Sequence, residues 1–228
     1  MSITATSLTR AAGVAAVAAG AIFIGVQINH PHLDATTIVS TEMVIRGSLK
    51  VTMAALALVG ITGMYLSQVR RNGLLGLVGY AVLAAGYVTI FSTSLVGAYV
   101  LPHLAGTNPG YVDEVAAVAT GRSTSGSIGA LQTVFQFQGY AYLVGGLLFG
   151  IALYRAHVLS RWATVLLAVG GIASAVLHAM PDAFYRFLAF PNGIAMIALG
   201  WSLWSTARGD RSAQTTGVPS PRVTAGAA

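Results

Sequence analysis

Six stretches of this 228-residue chain carry no Asp, Glu, Lys or Arg: 11–29, 51–69, 73–101, 131–154, 162–180 and 187–206. Each approaches or exceeds the ~20 apolar residues that take an α-helix across a bilayer. In hydrocarbon every backbone N–H and C=O must be satisfied within the chain, which leaves helices or a closed barrel. Continuous apolar runs of this length fit helices. The expected fold is therefore all-α, a polytopic bundle of six transmembrane helices. Only 8% of the residues are charged, against about 25% in a soluble domain. The third run is long enough to require tilt or an extension beyond the bilayer. Pro191 falls in the first turn of the sixth, where proline is tolerated.

Residues 1–20 also suit a signal peptide, with Arg10 before a small apolar stretch. The apolar run continues to Ile28, longer than such a segment needs, which favours a retained span.

Orientation follows the basic residues. Arg10, Arg70, Arg71, Arg155, Arg161, Arg208, Arg211 and Arg222 fall at one side of the six spans, and Arg46, Lys50, Arg122 and Arg186 at the other. The more basic side is expected to be cytoplasmic, with both termini there, in a bacterial inner membrane. Asp34, Glu42, Asp113, Glu114 and Asp182 then lie outside, with only Asp210 inside. Residues 207–228, rich in Ser, Thr, Gly, Pro and Arg, read as a disordered tail. The long loop 102–130 holds one short apolar stretch, YVDEVAAVA, that suits two turns of interfacial helix.

Several function classes are excluded or disfavoured. Cysteine is absent, so there are no disulfides, thiolate ligands or cysteine nucleophiles. The basic residues are scattered over span ends, so no nucleic-acid partner is expected. Transport lacks a broken helix pair or mid-membrane polar site.

The ionisable residues gather at one end. His30 and His32, in the stretch QINHPHLD, follow span 1; His103 follows span 3 and His178 ends span 5. Pro31, Pro102 and Pro181 sit at the same span ends, so HPH reads first as a helix terminator and second as a ligand pair. Glu42, Arg46 and Lys50 recur at i, i+4 and i+8, one stripe on a helix entering span 2. Tyr87 and Phe91 on span 3, with Gln138 and Tyr142 on span 4, would line an aromatic cavity beneath that stripe.

A carboxyl with raised pKa donates a proton, and aromatic faces stabilise cations. Glu42, Asp113, Glu114 and Asp182 are thus the candidate acids, tuned by Arg46 or Lys50. His32, His103 and His178 are the candidate ligand-orienting groups. This is the chemistry of a membrane cyclase or isomerase acting on a prenyl-type substrate, as in small bacterial membrane terpene cyclases. Two other readings stand beside it. One is a non-catalytic accessory protein whose polar rim marks the membrane interface. The other is a metal or haem held by His30 or His32 with His103 and His178. No cofactor is expected on the leading reading, and the partners are membrane lipids and a lipophilic small molecule.

Small residues mark the helix contacts. Gly76, Gly79 and Gly86 on span 3 and Gly145, Gly146 and Gly150 on span 4 permit close approach, and Ala11–Ala15 and Gly146–Gly150 have small-xxx-small spacing. The run GLLFGIALYRAHVLSRWATVLLAVGGIAS, the terminal ALGWSLWS and the stretch from QVRRNGLLGLVGYAVLAAG through YVLPHLAG resemble bacterial integral membrane proteins of the DUF4386-like type. That resemblance spans about residues 10–205 and implies six helices, with no site residues to carry over.

Overall fold

The computed structural model describes residues 4–124, 126–178 and 189–215, with side chains through 172 and 208 in the last two stretches. Every regular element among them is helical. They are α1 (Ala5–Gly25), α2 (Thr41–Leu66), α3 (Val69–Leu95), a π-helical turn (Val96–Val100), α4 (Leu101–Ala105), α5 (Pro109–Ala119), α6 (Ala130–Ala156), α7 (Arg161–His178) and α8 (Ala189–Thr215). Among the described residues four stretches are long and apolar enough to cross a membrane: Ala5–Gly25, Thr41–Leu66, the continuous Val69–Ala105 and Ala130–Ala156. In α7 the apolar described part, Arg161–Ile172, is shorter.

The six long helices form a ring in which α1 packs on α2, α2 on α3, α3 on α6, α6 on α7, α7 on α8, and α8 back on α1. Small residues let the backbones meet. A Cβ on Gly79 would collide with the backbone of Phe149, and one on Gly145 with that of Leu83, so α3 and α6 touch main chain to main chain. On α1 the small residues that meet α2 are Ala12 and Ala16, against Gly63 and Gly60. The face is displaced by one position from the expected Ala11–Ala15 pair, and Ala11 is exposed. Of Gly146 and Gly150, only Gly150 lies tight against its neighbour, the backbone of Ala168.

Ile61, Met64, Phe149, Leu153, Leu199 and Leu203 fill the ring centre and are fully or nearly fully buried. Around the outside the faces stay apolar: Leu74 is 75% exposed, and Leu66, Val14 and Ile45 also lie open. Exposed apolar side chains on the outer faces are what a lipid-facing surface requires. At the end of the ring holding the α1 N-terminus, the guanidinium groups of Arg10 and Arg208 stack over Trp204 at 5.7 and 4.3 Å. Arg161 covers Tyr154 at 4.6 Å.

Helix ends differ from expectation where polar residues join a helix. α2 begins at Thr41, ten residues before its charge-free run, capped by the Ser40 hydroxyl accepting from the Met43 N–H, and the Glu42–Arg46–Lys50 stripe lies on it as its spacing predicts. α1 stops at Gly25, five residues before His30, so HPH does not terminate it. The chain turns instead at Asn29, whose φ of 50° is left-handed, a conformation asparagine tolerates. Pro102 does not end the third helix either. Proline lacks the N–H that would bond to Ala98 and its ring would strike that carbonyl, and the wider π-helical turn at Val96–Val100 accommodates it. α8 extends to Thr215, past the expected end at 206. Residues 216–228 and 179–188, with Pro181, Asp182 and Arg186, lie outside the described residues.

At the opposite end of the ring α5 lies across the mouth. Asn108 accepts from the Tyr111 N–H and Pro109 fills the first turn, so GTNPGY is a helix start. Val112 and Val115 of α5 bury against Ala35, Ile38, Leu101 and Ile128, a second apolar cluster that covers this end.

Candidate ligand cavity

Beneath α5 the ring centre opens into a cavity of about 830 Å³. This lies within the 300–1,000 Å³ typical of small-molecule sites. Its deeper wall is apolar and aromatic, built by Phe23, Met53, Tyr87, Ile90 and Leu143. Tyr87 and Ile90, three apart on α3, share a face with Ser94. The π-helical turn contributes Val96 and Gly97, and the cover contributes Val115, Ala116 and Ala119.

The upper wall is polar and cationic. Arg46 clamps the end of α1: its guanidinium donates to the carbonyls of Val26, Ile28 and Asn29 at 2.8, 3.1 and 3.3 Å. The Val26 carbonyl is one the helix end leaves unpaired, and those of Ile28 and Asn29 belong to the turn that follows. Arg46 also pairs with Glu42 at 2.8 Å. Lys50 stands one turn deeper, about two and a half turns inside α2. Its ammonium donates to His30 Nε2 at 3.2 Å, and His30 Nδ1 bonds to the Pro31 carbonyl at 2.8 Å. With Nδ1 as the protonated nitrogen, Nε2 is the acceptor that Lys50 requires. Arg122, after α5, donates to the Leu33 carbonyl and the Thr120 hydroxyl, both at 2.9 Å, and lies 3.1 Å from His32 Nε2. The two histidines of HPH are therefore turned to different cations.

Amides complete the wall. Gln132, Gln136 and Gln138 of α6 all line it, and Gln138 Oε1 accepts from the Thr93 hydroxyl at 2.7 Å. Gln27 lines it with 6% exposure and no side-chain hydrogen bond among the described residues. The Tyr142 hydroxyl is buried beside that of Tyr87, the two rings edge-on at 5.5 Å, and makes no well-aligned hydrogen bond among the described residues. Buried polar groups are almost always satisfied, and Gln68 Oε1 and Asn72 Oδ1, away from the cavity, are in the same state among the described residues.

Of the candidate residues read from sequence, Arg46, Lys50, Tyr87, Gln138 and Tyr142 line this cavity. Glu42, Asp113 and Glu114 do not. Glu42 holds Arg46, Asp113 Oδ1 accepts the Ala35 N–H at 2.7 Å, and Glu114 Oε1 accepts the Gly126 N–H at 3.1 Å. The latter two acids tie the α5 cover to neighbouring loops. His32 touches the cavity only through Arg122, Phe91 packs against the central core, and His103 is exposed on α4. The side chains of His178 and Asp182 lie outside the described residues. No three His, Asp or Glu side chains gather within metal-binding reach among the described residues.

His30 reads from the sequence as a helix terminator or a metal ligand, whereas Gln27 and Arg122 are not among the site residues the sequence selects. Gln27 alone carried a signal: it is the one glutamine in an otherwise small and apolar first run. Comparison of the chain with protein-family models, curated proteins and solved structures returns no match.

Proposed function

We propose that this chain is a multi-pass membrane protein that holds a lipophilic ligand in the cavity beneath α5. On this reading six helices cross the inner membrane of a bacterium, both termini face the cytoplasm, and the cavity lies toward the outer leaflet. The observation that carries it is a chamber of about 830 Å³ whose lining joins apolar and aromatic side chains to a polar, cationic rim of Arg46, Lys50 and Arg122. A ligand with a long apolar body and one polar end satisfies both features. The eight-to-four division of basic residues supports the orientation. Binding is favoured over acid–base turnover because Glu42, Asp113 and Glu114 are all engaged in structural bonds away from the chamber.

Native mass spectrometry of the detergent-purified protein tests this. Gly97 and Gly139 line the cavity, and a Cβ on either meets nothing within 4 Å. The double variant Gly97→Phe, Gly139→Phe therefore fills space at little steric cost to the protein. The wild type is expected to retain a lipophile at defined stoichiometry that the filled variant lacks. Equal lipid content in the two would contradict the reading.

A further inference from the structure

We infer that the ligand carries an anionic head group, a carboxylate or a phosphate, seated against the ammonium of Lys50. The inference rests on the reading of the cavity as a ligand site and names what that site selects.

Three cations line the cavity, Arg46, Lys50 and Arg122, and no Asp or Glu does so among the described residues. Two of the three are committed. Arg46 has Glu42 as its counter-ion and three carbonyls as acceptors. Arg122 lies in the loop after α5, not within a span, and donates to the Leu33 carbonyl, the Thr120 hydroxyl and His32, with no described carboxylate as its counter-ion. Lys50 differs. An ammonium has three donors, and its one hydrogen bond among the described residues goes to the neutral acceptor His30 Nε2. No described carboxylate lies within ion-pair distance of it.

A charge held within an apolar span without a counter-charge is costly, and such residues persist where they serve a site. An anion arriving in the cavity supplies that counter-charge and takes the remaining donors. The geometry below Lys50 fits the rest of such a molecule. Met53 follows one turn deeper on the same face of α2, and Tyr87 and Ile90 face it from α3. The Gln27 amide on the same lining adds a neutral donor that suits a carboxylate or phosphate oxygen equally. The site is thus cationic at one end and apolar at the other, the complement of a single-chain lipid anion.

Four probes test it on the full-length protein in a non-ionic detergent: palmitate against hexadecanol, and farnesyl phosphate against farnesol. The wild type is expected to bind each anion at least about tenfold more tightly than its neutral partner, the scale of a hydrogen bond to a charged group. Whichever anion binds more tightly names the head group. In Lys50→Met both ratios are expected to fall to about one; Lys50→Gln provides the same test through a polar replacement. Removing a charge from a span eases insertion, and a thermal melt confirms folding of either variant. Equal binding of anion and alcohol by the wild type would overturn the anionic head group and leave a lipophile site standing. Ratios unchanged in both variants would overturn the role of Lys50. Failure of all four probes to bind would overturn the ligand site itself.

Discussion

Asp113 on α5 accepts the backbone N–H of Ala35 at 2.7 Å, a bond between residues 78 apart in sequence. It fastens the helix that covers the cavity to the loop after α1. The role is mechanical, so Asp113→Asn, which keeps an acceptor oxygen, should change stability little. Asp113→Ala should lower it by about 1 kcal/mol, discounted for the exposure of the side chain. Denaturation in detergent measures both. Equal losses from the two variants would contradict the assignment.

Arg46 holds the end of α1 through three carbonyls. A lysine offers a point charge where the guanidinium offers a fork. Arg46→Lys should therefore cost about 1.5–3 kcal/mol, close to the loss from Arg46→Gln. If lysine rescued wild-type stability, the shape of the guanidinium would not matter here.

The glycines of α6 separate cleanly. A Cβ on Gly150 would press on the backbone of Ala168, whereas one on Gly146 would find only the Leu167 carbonyl at an ordinary 3.5 Å. Gly150→Ala should destabilise the α6–α7 contact by about 1–3 kcal/mol. Gly146→Ala should be neutral or stabilising by up to about 1 kcal/mol, since alanine favours a helix. Thermal melts of the two single variants decide it.

Asp34 gives a pH signature outside the spans. The Thr36 hydroxyl and the Thr37 N–H bond to its carboxylate and hold its pKa down at about 2, from 3.8. A depressed folded pKa means the stabilisation is full above pH ~4 and is lost as pH falls toward ~2. The melting-temperature gap between the wild type and Asp34→Ala should be present at pH 5 and close as pH approaches 2. A gap independent of pH would contradict the hydrogen-bonded carboxylate.

The helices were legible because a charge-free apolar run of about twenty residues matches the length of a membrane-crossing helix and little else. α6, expected at 131–154, runs from Ala130 to Ala156. Charge-free runs mark a boundary poorly where charge and helix coexist: the run of α2 starts only at 51, and the i, i+4, i+8 spacing of Glu42, Arg46 and Lys50 is what shows the helix entering it earlier. The site was half legible. Lys50, Tyr87 and Tyr142 follow helical periodicity, which sequence displays. Asp113 and Glu114 looked like acids available for chemistry because their partners, Ala35 and Gly126, are backbone amides brought close only by folding. The tie from Arg122 to His32, 90 residues apart, is of the same kind. Register inside a helix is equally hidden, as the π-helical turn before Pro102 and the shift from Ala11 to Ala12 show.

The most direct test of the cavity uses the absence of cysteine from this chain. A single cysteine at position 139, on the cavity wall, is compared with one at position 74, on the exposed outer face. Labelling of each by a membrane-permeant maleimide is timed with palmitate, with farnesyl phosphate and with neither. The anion that binds should slow labelling of Gly139→Cys several-fold and leave Leu74→Cys unchanged. Equal rates at position 139 with palmitate, with farnesyl phosphate and with neither, or equal slowing at both positions, would contradict a ligand held in the cavity.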